Sequence, residues 1–293
     1  MWSIGHTVPG RSGVVGVLGF GAPTKKDHLM IKTLLLAGAA ALTATAAAAQ
    51  PEGLVGSPAT PWAGPYIGLH GGYAIDRDSP VTTGGLFAGN INNVNAEARP
   101  PRLLRDKEGY VAGGQIGYNV QRGMFVAGVE ADFSVTDFSS SQVYRSPRAF
   151  GAAPAGTASD FSSRTNYLGS VRGRVGIGSD NLLIYGTGGY AYGQVKNRAS
   201  FRNGVNPNQI DFAASDDYDP DGWVAGAGVE YAVPIYNPLA RFGSSRVTVR
   251  GEYLHYDLQD RNLFVNAVSG TGSYVTRFKN DADVFRAGLN FKF

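Results

Sequence analysis

The sequence predicts an all-β protein: an eight-stranded antiparallel up-and-down transmembrane β-barrel with long loops at one end and short turns at the other. Three observations carry this. The composition is rich in glycine (41 of 293 residues) and tyrosine, poor in charge (17%) and free of cysteine, which suits close-packed strands and aromatic girdles. From Tyr66 onward the dominant hydrophobic period is two, in runs of about ten residues or more, longer than the strands of ordinary globular proteins and long enough to cross a bilayer at a tilt. Long and short connections alternate along the chain.

The N-terminus sets the compartment. "MIKTLLLAGAAALTATAAAAQ", Met30 to Gln50, has a lysine, an apolar run and a small-residue end, the pattern of a secretory signal peptide cleaved after Ala49. The expected organisation is an upstream extension over 1–29, a signal peptide over 30–49, a Pro/Gly-rich periplasmic linker over 50–64 and the barrel over 65–293. The leader carries four of the 26 basic residues and one of the 23 acidic ones, so the remaining chain is formally neutral. That excludes a nucleic-acid partner recruited by net basic charge. The absence of cysteine excludes a disulfide scaffold and thiolate chemistry.

The strands follow in order. Tyr66–Ile75 places Ile67, Leu69 and Tyr73 on one face. Gly109–Val120 sets Ala112, Ile116 and Tyr118 against Gln115 and Asn119. Met124–Val135 sets Phe125, Ala127, Val129, Ala131 and Phe133 against Glu130 and Asp132. Thr165–Gly178 sets Val171, Val175 and Ile177 against Arg172 and Arg174. Leu182–Val195 is so rich in Gly and Tyr that its facing stays open. Trp223–Val233 sets six apolar positions against Glu230, and Arg246–Asp257 sets Val247, Val249 and Tyr253 against Arg250 and Glu252. Ala282–Phe293 sets Phe285, Leu289, Phe291 and Phe293 against Arg286, Asn290 and Lys292. The expected long loops are Asp76–Glu108, Thr136–Arg164, Lys196–Gly222 and Leu258–Asp281, with short turns at Gln121–Gly123 and Ser179–Asn181 and a connection of intermediate length after the sixth strand.

The polar faces hold Arg172, Arg174, Arg250 and Arg286 with Glu130, Asp132, Glu230 and Glu252, four charges of each sign. In a narrow eight-stranded barrel the interior is filled by side chains, and there only paired charges are tolerable. These eight are expected to form a lumen charge network, with Glu130 and Asp132 reaching Arg172 and Arg174 on the adjacent strand. A soluble sandwich with the charges in solvent requires no such balance of signs.

"WAGPYIGLHGGYA", "GGQIGYNVQ", "FVAGVEADF", "GSVRGRVGIGSDNLLIYGTGGYAYG", "GWVAGAGVEYA" and "FRAGLNFKF" together resemble the outer-membrane β-barrel surface antigens of alphaproteobacteria, porin-like and distantly similar to the OmpA transmembrane domain and the opacity proteins. The resemblance spans Trp62 to Phe293. It implies a bacterial outer-membrane location, extracellular loops, periplasmic turns and a role in envelope integrity and surface interaction. It also lends meaning to the chain's last residues: Leu289, Phe291 and Phe293 resemble the terminal signal read by the barrel-assembly machinery. Some relatives bind haem, but no ligand motif here matches, so no cofactor is expected.

Four histidines are present, two of them in the leader region. His70 and His255 lack the spacing of a metal site, so no metal is expected. His255 and Asp257 lie two apart, yet no serine in a recognisable setting accompanies them. "GTGGYAYG" at Gly186–Gly193 lacks the Lys-Ser/Thr ending of a phosphate loop. "DFAASDDYDPD", Asp211–Asp221, reads as a solvated acidic loop. The expectation is a monomeric non-enzyme whose lumen is filled by charge pairs. Its expected contacts are outer-membrane lipid, lipopolysaccharide and, through the loops, host or surface ligands. A small porin-like diffusion channel is the alternative, and a barrel enzyme acting on lipid or peptide the third reading.

Overall fold

A computed structural model describes residues 60–147, 157–203, 206 and 208–293. The expected upstream extension, the signal peptide and residues 50–59 of the linker lie outside the described residues. Nine strands follow in order: β1 (Gly64–Gly85), β2 (Arg102–Arg122), β3 (Phe125–Arg145), β4 (Ala158–Gly178), β5 (Leu182–Arg202), β6 (Ile210–Tyr218), β7 (Asp221–Val233), β8 (Arg246–Ala267) and β9 (Ser273–Lys292). A helix, α1 (Ala88–Asn95), sits between β1 and β2.

Each strand pairs antiparallel with its neighbour, and β1 pairs with both β2 and β9. The sheet therefore closes on itself, and in the lower half, where β7 pairs with β8 along its length, it leaves no open edge, the condition for burying strands in hydrocarbon. Higher up, β6 meets β8 only at Phe212–Ala267 and Ala213–Asn266. Strands β6 and β7 both pair with β5 and β8. They are two segments of one stave, interrupted at Asp219–Pro220, where proline has no N–H to give a ladder. The nine strands thus make the eight staves expected.

The strands outrun the expectation. They reach 20–22 residues on seven staves, about 70 Å of extended chain. Most of the polar segments read as long loops are strand, and Asp211–Asp221 is mostly β6. The physical reason is a change of phase. Below a girdle of outward aromatics (Tyr73, Tyr110, Phe133, Tyr167, Tyr190, Trp223, Tyr253 and Phe285) the apolar residues point out, as at Leu69, Phe125 and Val175, each 67% exposed. Above it they point in, as at Val81, Phe161, Phe201, Val265 and Phe278. Register shifts fall near this transition, at Asp76/Ser79, Val135/Phe138, Thr165/Tyr167 and Leu258/Arg261, and each such irregularity re-aims the strand's side chains. A pattern read with one phase loses the strand at that point.

The apolar outward band below the girdle is the membrane-crossing part. Neighbouring girdle rings touch: Tyr73 and Tyr110 at 5.2 Å between centroids, Tyr253 and Phe285 at 5.1 Å. Above the girdle the outer wall is charged. Cross-strand ion pairs join Arg164 to Asp137 (3.2 Å), Lys196 to Asp217 (3.2 Å), Arg202 to Asp160 (2.8 Å), Arg261 to Asp216 (2.5 Å) and Arg277 to Asp260 (2.7 Å). Strand β5, open in the sequence, turns Leu183, Tyr185, Ala191 and Val195 inward and Ile184 and Tyr190 outward.

The interior is tiered. At the short-turn end Trp62, Val126, Leu183, Tyr185 and Ala232 pack together. Above the charged tier described below lies an apolar tier to which every stave contributes, from Ala74 on β1 and Phe138 on β3 to Val224 on β7 and Val284 on β9. Next comes a polar tier, then a second apolar tier centred on Phe161, Phe201, Tyr274 and Phe278. Helix α1 lies at the long-loop end, where Asn93 donates to the Tyr274 hydroxyl (2.9 Å).

Val171 is outward and half exposed between Tyr167 and Ile177. Val171→Arg is expected to cost on the order of 2–4 kcal/mol in urea unfolding from lipid vesicles. Ser141→Arg, outward on β3 above the girdle, is expected to stay within about 0.5 kcal/mol of the parent.

Candidate functional site in the barrel lumen

The register builds the site. Glu130 lies opposite Arg172 across β3 and β4, Glu230 opposite Arg250 across β7 and β8, and Glu252 opposite Arg286 across β8 and β9. Inward positions alternate along each strand, so all eight predicted charges enter one lumen. All are buried, none more than 6% exposed.

They form a single network. Glu130 contacts Arg172, Arg250 (2.6 Å) and, at 3.6 Å, both Arg174 and Arg286. Asp132 is shared by Arg172 and Arg286, each at 3.1 Å. Glu252 takes Arg286 (2.6 Å), Arg172 (3.1 Å) and Arg250 (3.1 Å). Glu230 takes Arg174 (3.0 Å). Asp132 meets Arg172 and Arg286; no contact joins it to Arg174, although strand adjacency had suggested one. Glu130 is the hub because it faces the centre of a narrow barrel, where arginines from β4, β8 and β9 converge.

Neutral groups add to the network, and sequence reasoning missed most of them; the Nε–H groups of Arg172, Arg174 and Arg250 remain buried without a partner. The Tyr66 hydroxyl donates to Glu130 (2.7 Å) and accepts from Arg174 (3.0 Å). Tyr185 donates to Glu252 (3.0 Å), Thr248 to Glu230 (2.6 Å) and Ser170 to Asp132. Two glycines make room for the tyrosines: a Cβ at Gly117 would stand 2.3 Å from the Tyr66 hydroxyl, and one at Gly228 would stand 2.4 Å from that of Tyr185. The signal was present in the sequence, as glycine opposite tyrosine on paired strands, but it is readable only once the register is known.

Lys292 adds a fifth cation. Its ammonium stands 3.8 Å from Glu230 and over the rings of Trp62 (5.3 Å) and Tyr66 (4.7 Å). Trp62, at the end of the expected linker, is completely buried. Its indole N–H donates to the Ser179 carbonyl (2.6 Å), its backbone N–H to Gln121 (2.9 Å), and its carbonyl accepts from Asn119 (3.1 Å). The linker's last residues therefore close the short-turn mouth.

Of the remaining candidates, His70 borders the network, with its Nε2 3.4 Å from the Arg286 guanidinium, and the others lie apart from it. His70 is a satisfied lumen histidine, between Gln115 (2.5 Å) and Ser134 (2.7 Å). His255 is on the outer wall and pairs with Asp283 (2.8 Å), the residue opposite it on β9, rather than with Asp257. Leu289, Phe291 and Phe293 lie on the outward side at the end of the chain, where the Phe293 N–H donates to the Pro65 carbonyl (3.0 Å). No group of three or more His, Cys, Asp or Glu arranged to hold a metal occurs among the described residues.

Residues 34–293 match the family described as outer membrane protein beta-barrel domain. The chain is 33% identical over 278 residues to the 31 kDa outer-membrane immunogenic protein of Brucella melitensis biotype 1, covering 90% of this chain and all of that one. It is 28% identical over 221 residues to a 22 kDa outer membrane protein of Rhizobium leguminosarum bv. viciae, covering 74% and 83% of the two chains. Among solved structures it is similar to the outer membrane protein OprG of Pseudomonas aeruginosa, at 15% identity and TM-score 0.40, over 79% of this chain and 96% of that one.

Removing one member of a buried pair leaves an uncompensated charge. Glu130→Gln is expected to cost on the order of 3–5 kcal/mol in urea unfolding. Glu130→Arg is expected to do more damage, and adding Arg172→Glu to restore only part of it. The swapped pair keeps the β3–β4 contact, but Arg250 loses one of its two carboxylates while Asp132 and Glu252 lose an arginine.

Proposed function

The chain belongs to the outer membrane protein β-barrel domain family, and from that premise we propose that it acts as a closed, non-enzymatic envelope barrel whose interior is a plug and whose rim is its contact surface. It is an outer-membrane protein, in contact with membrane lipid along the apolar band. The observation that carries the proposal is the stacking of tiers in the lumen. A charge network in which every carboxylate touches at least one arginine is followed by two apolar tiers built from all eight staves. A diffusion channel needs a continuous wet path, and a hydrophobic constriction opposes one by dewetting.

The charge network thereby serves as a stabilising core in place of a hydrophobic one. The ion-paired wall above the girdle stands at the level of lipid headgroups and sugars, where mixed charge suits lipopolysaccharide. The far end, with α1 and exposed Leu86, Phe87 and Ile91, would meet antibodies or host surfaces. The names of the relatives as immunogenic proteins support the surface reading and the non-enzymatic one. The terminal Phe293, with Phe291 and Leu289, would be read by the barrel-assembly machinery before the ring closes, and closure of the membrane-crossing ring within one chain suits a monomer.

The test is planar-bilayer conductance of the refolded chain without its leader, with folding checked by heat-modifiable gel mobility. Folded, inserted protein is expected to leave the membrane silent, and Trp62→Ala to leave it silent too, because the upper tiers remain. Stable steps whose ion selectivity changes in Arg172→Glu would establish the channel instead.

A further inference from the structure

The polar tier above the girdle solves its charge problem differently from the network below. Arg105 and Lys107 are buried to 1% and 3% exposure. Arg105 donates to the Ser140 hydroxyl (3.0 Å) and the Lys279 carbonyl (2.9 Å), with its guanidinium over the Phe278 ring. Lys107 donates to the Thr165 hydroxyl (2.6 Å) and stands 4.3 Å from the centre of the Phe138 ring. These oxygen partners are neutral. The nearby carboxylate, Asp76, is opposite Lys107 in register, yet accepts from the Ser79 hydroxyl (2.6 Å). Among the described residues neither cation has a carboxylate oxygen within 4 Å. Two cations against one carboxylate, between two apolar tiers, leave an excess positive charge that a buried site relieves either by giving up a proton or by taking a partner.

We propose that this tier binds a small monovalent anion, of the size of a halide, between Arg105 and Lys107. Unused donors face this tier. The Arg105 Nε–H and the Ser163 hydroxyl are buried without a partner, and Lys107 has two N–H groups beyond the one given to Thr165. The unpartnered carboxylate oxygen Asp76 Oδ2 disfavours an anion until Asp76 is protonated. Ser163 lies beside Ser140 across β3 and β4, which brings its hydroxyl to the residue that already holds Arg105. The apolar tiers above and below disfavour a large, strongly hydrated ion.

Proton linkage follows from the surroundings. Lys107 lies above the girdle, outside the membrane-crossing band. Burial, reinforced by Arg105 and opposed by Asp76, lowers its pKa from the ordinary lysine value to about 7. Burial raises Asp76 to about 6, with the Ser79 hydroxyl, Arg105 and Lys107 pulling down and Asp281 pushing up. Tyr218 of β6 also faces this tier, and its hydroxyl accepts from Asn280 (2.7 Å). An anion that favours protonated Lys107 therefore binds with proton uptake. It binds more tightly as pH falls through 7, and more tightly again as Asp76 neutralises near 6.

The test is urea unfolding of the refolded chain at pH 6, in sodium chloride against sodium gluconate at equal ionic strength. Above the dissociation constant, each tenfold rise in chloride is expected to lower the unfolding equilibrium constant about tenfold. The dependence is expected to weaken at pH 8.5 and to be lost in Lys107→Met. Crystals grown in bromide are expected to show an anomalous peak between Arg105 and Lys107. Identical curves in chloride and gluconate for the parent protein would overturn the proposal, whether or not the variant folds. So would an equal chloride response in Lys107→Met, which would mark a general salt effect.

Discussion

The membrane-crossing half of this barrel depends on one electrostatic constraint: a cluster of arginines in a narrow lumen needs carboxylates to match it. Four arginines enter from β4, β8 and β9, and four carboxylates from β3, β7 and β8 meet them. Because strand side chains alternate, these positions cannot be moved one residue along without sending the charge into lipid. The network therefore fixes the register of five strands at once. It binds staves distant in sequence, as where Glu130 of β3 holds Arg250 of β8, and so resists slippage that backbone hydrogen bonds alone would permit.

The tiers above and below extend the same logic. Trp62 draws the segment before β1 into the short-turn mouth and lays its ring against Lys292. The apolar tier around Phe138 and Leu254 separates the charge network from the polar tier of Asp76, Arg105 and Lys107. Beyond the girdle the staves continue as a water-exposed barrel with an apolar inside and an ion-paired outside. One sheet thus passes through two solvents and reverses the phase of its hydrophobic pattern between them.

That reversal explains what could be read in the sequence. The membrane-crossing halves of the strands were legible, since valines and phenylalanines faced lipid in strict alternation with Glu130, Arg172 or Arg250. The charge network was legible as a balance of signs, because lumen positions are those opposite apolar ones. The strand extensions were not, because register shifts such as Asp76/Ser79 interrupt the alternation where the solvent changes. Lys292 was legible on the polar face of the last strand though not counted among the network charges, while Tyr66 and Tyr185 were missed for another reason. Their roles arise from register across the ring, as with Gly117 opposite Tyr66, and a linear pattern does not carry that. Pro220 divides β6 from β7, yet the two remain one stave because both sit between β5 and β8.

The central claim is that the arginine network sits in a dry lumen. The most direct measurement is water exchange of the arginine side-chain Nε–H protons by NMR in the folded, micelle-embedded barrel. Slow exchange is predicted for Arg172 and Arg250, whose side chains are fully buried, with fast exchange at partly exposed Arg246 as the internal reference. Exchange at Arg172 and Arg250 as fast as at Arg246 would mean that water reaches the network freely, and the lumen would be a wet channel rather than a plug.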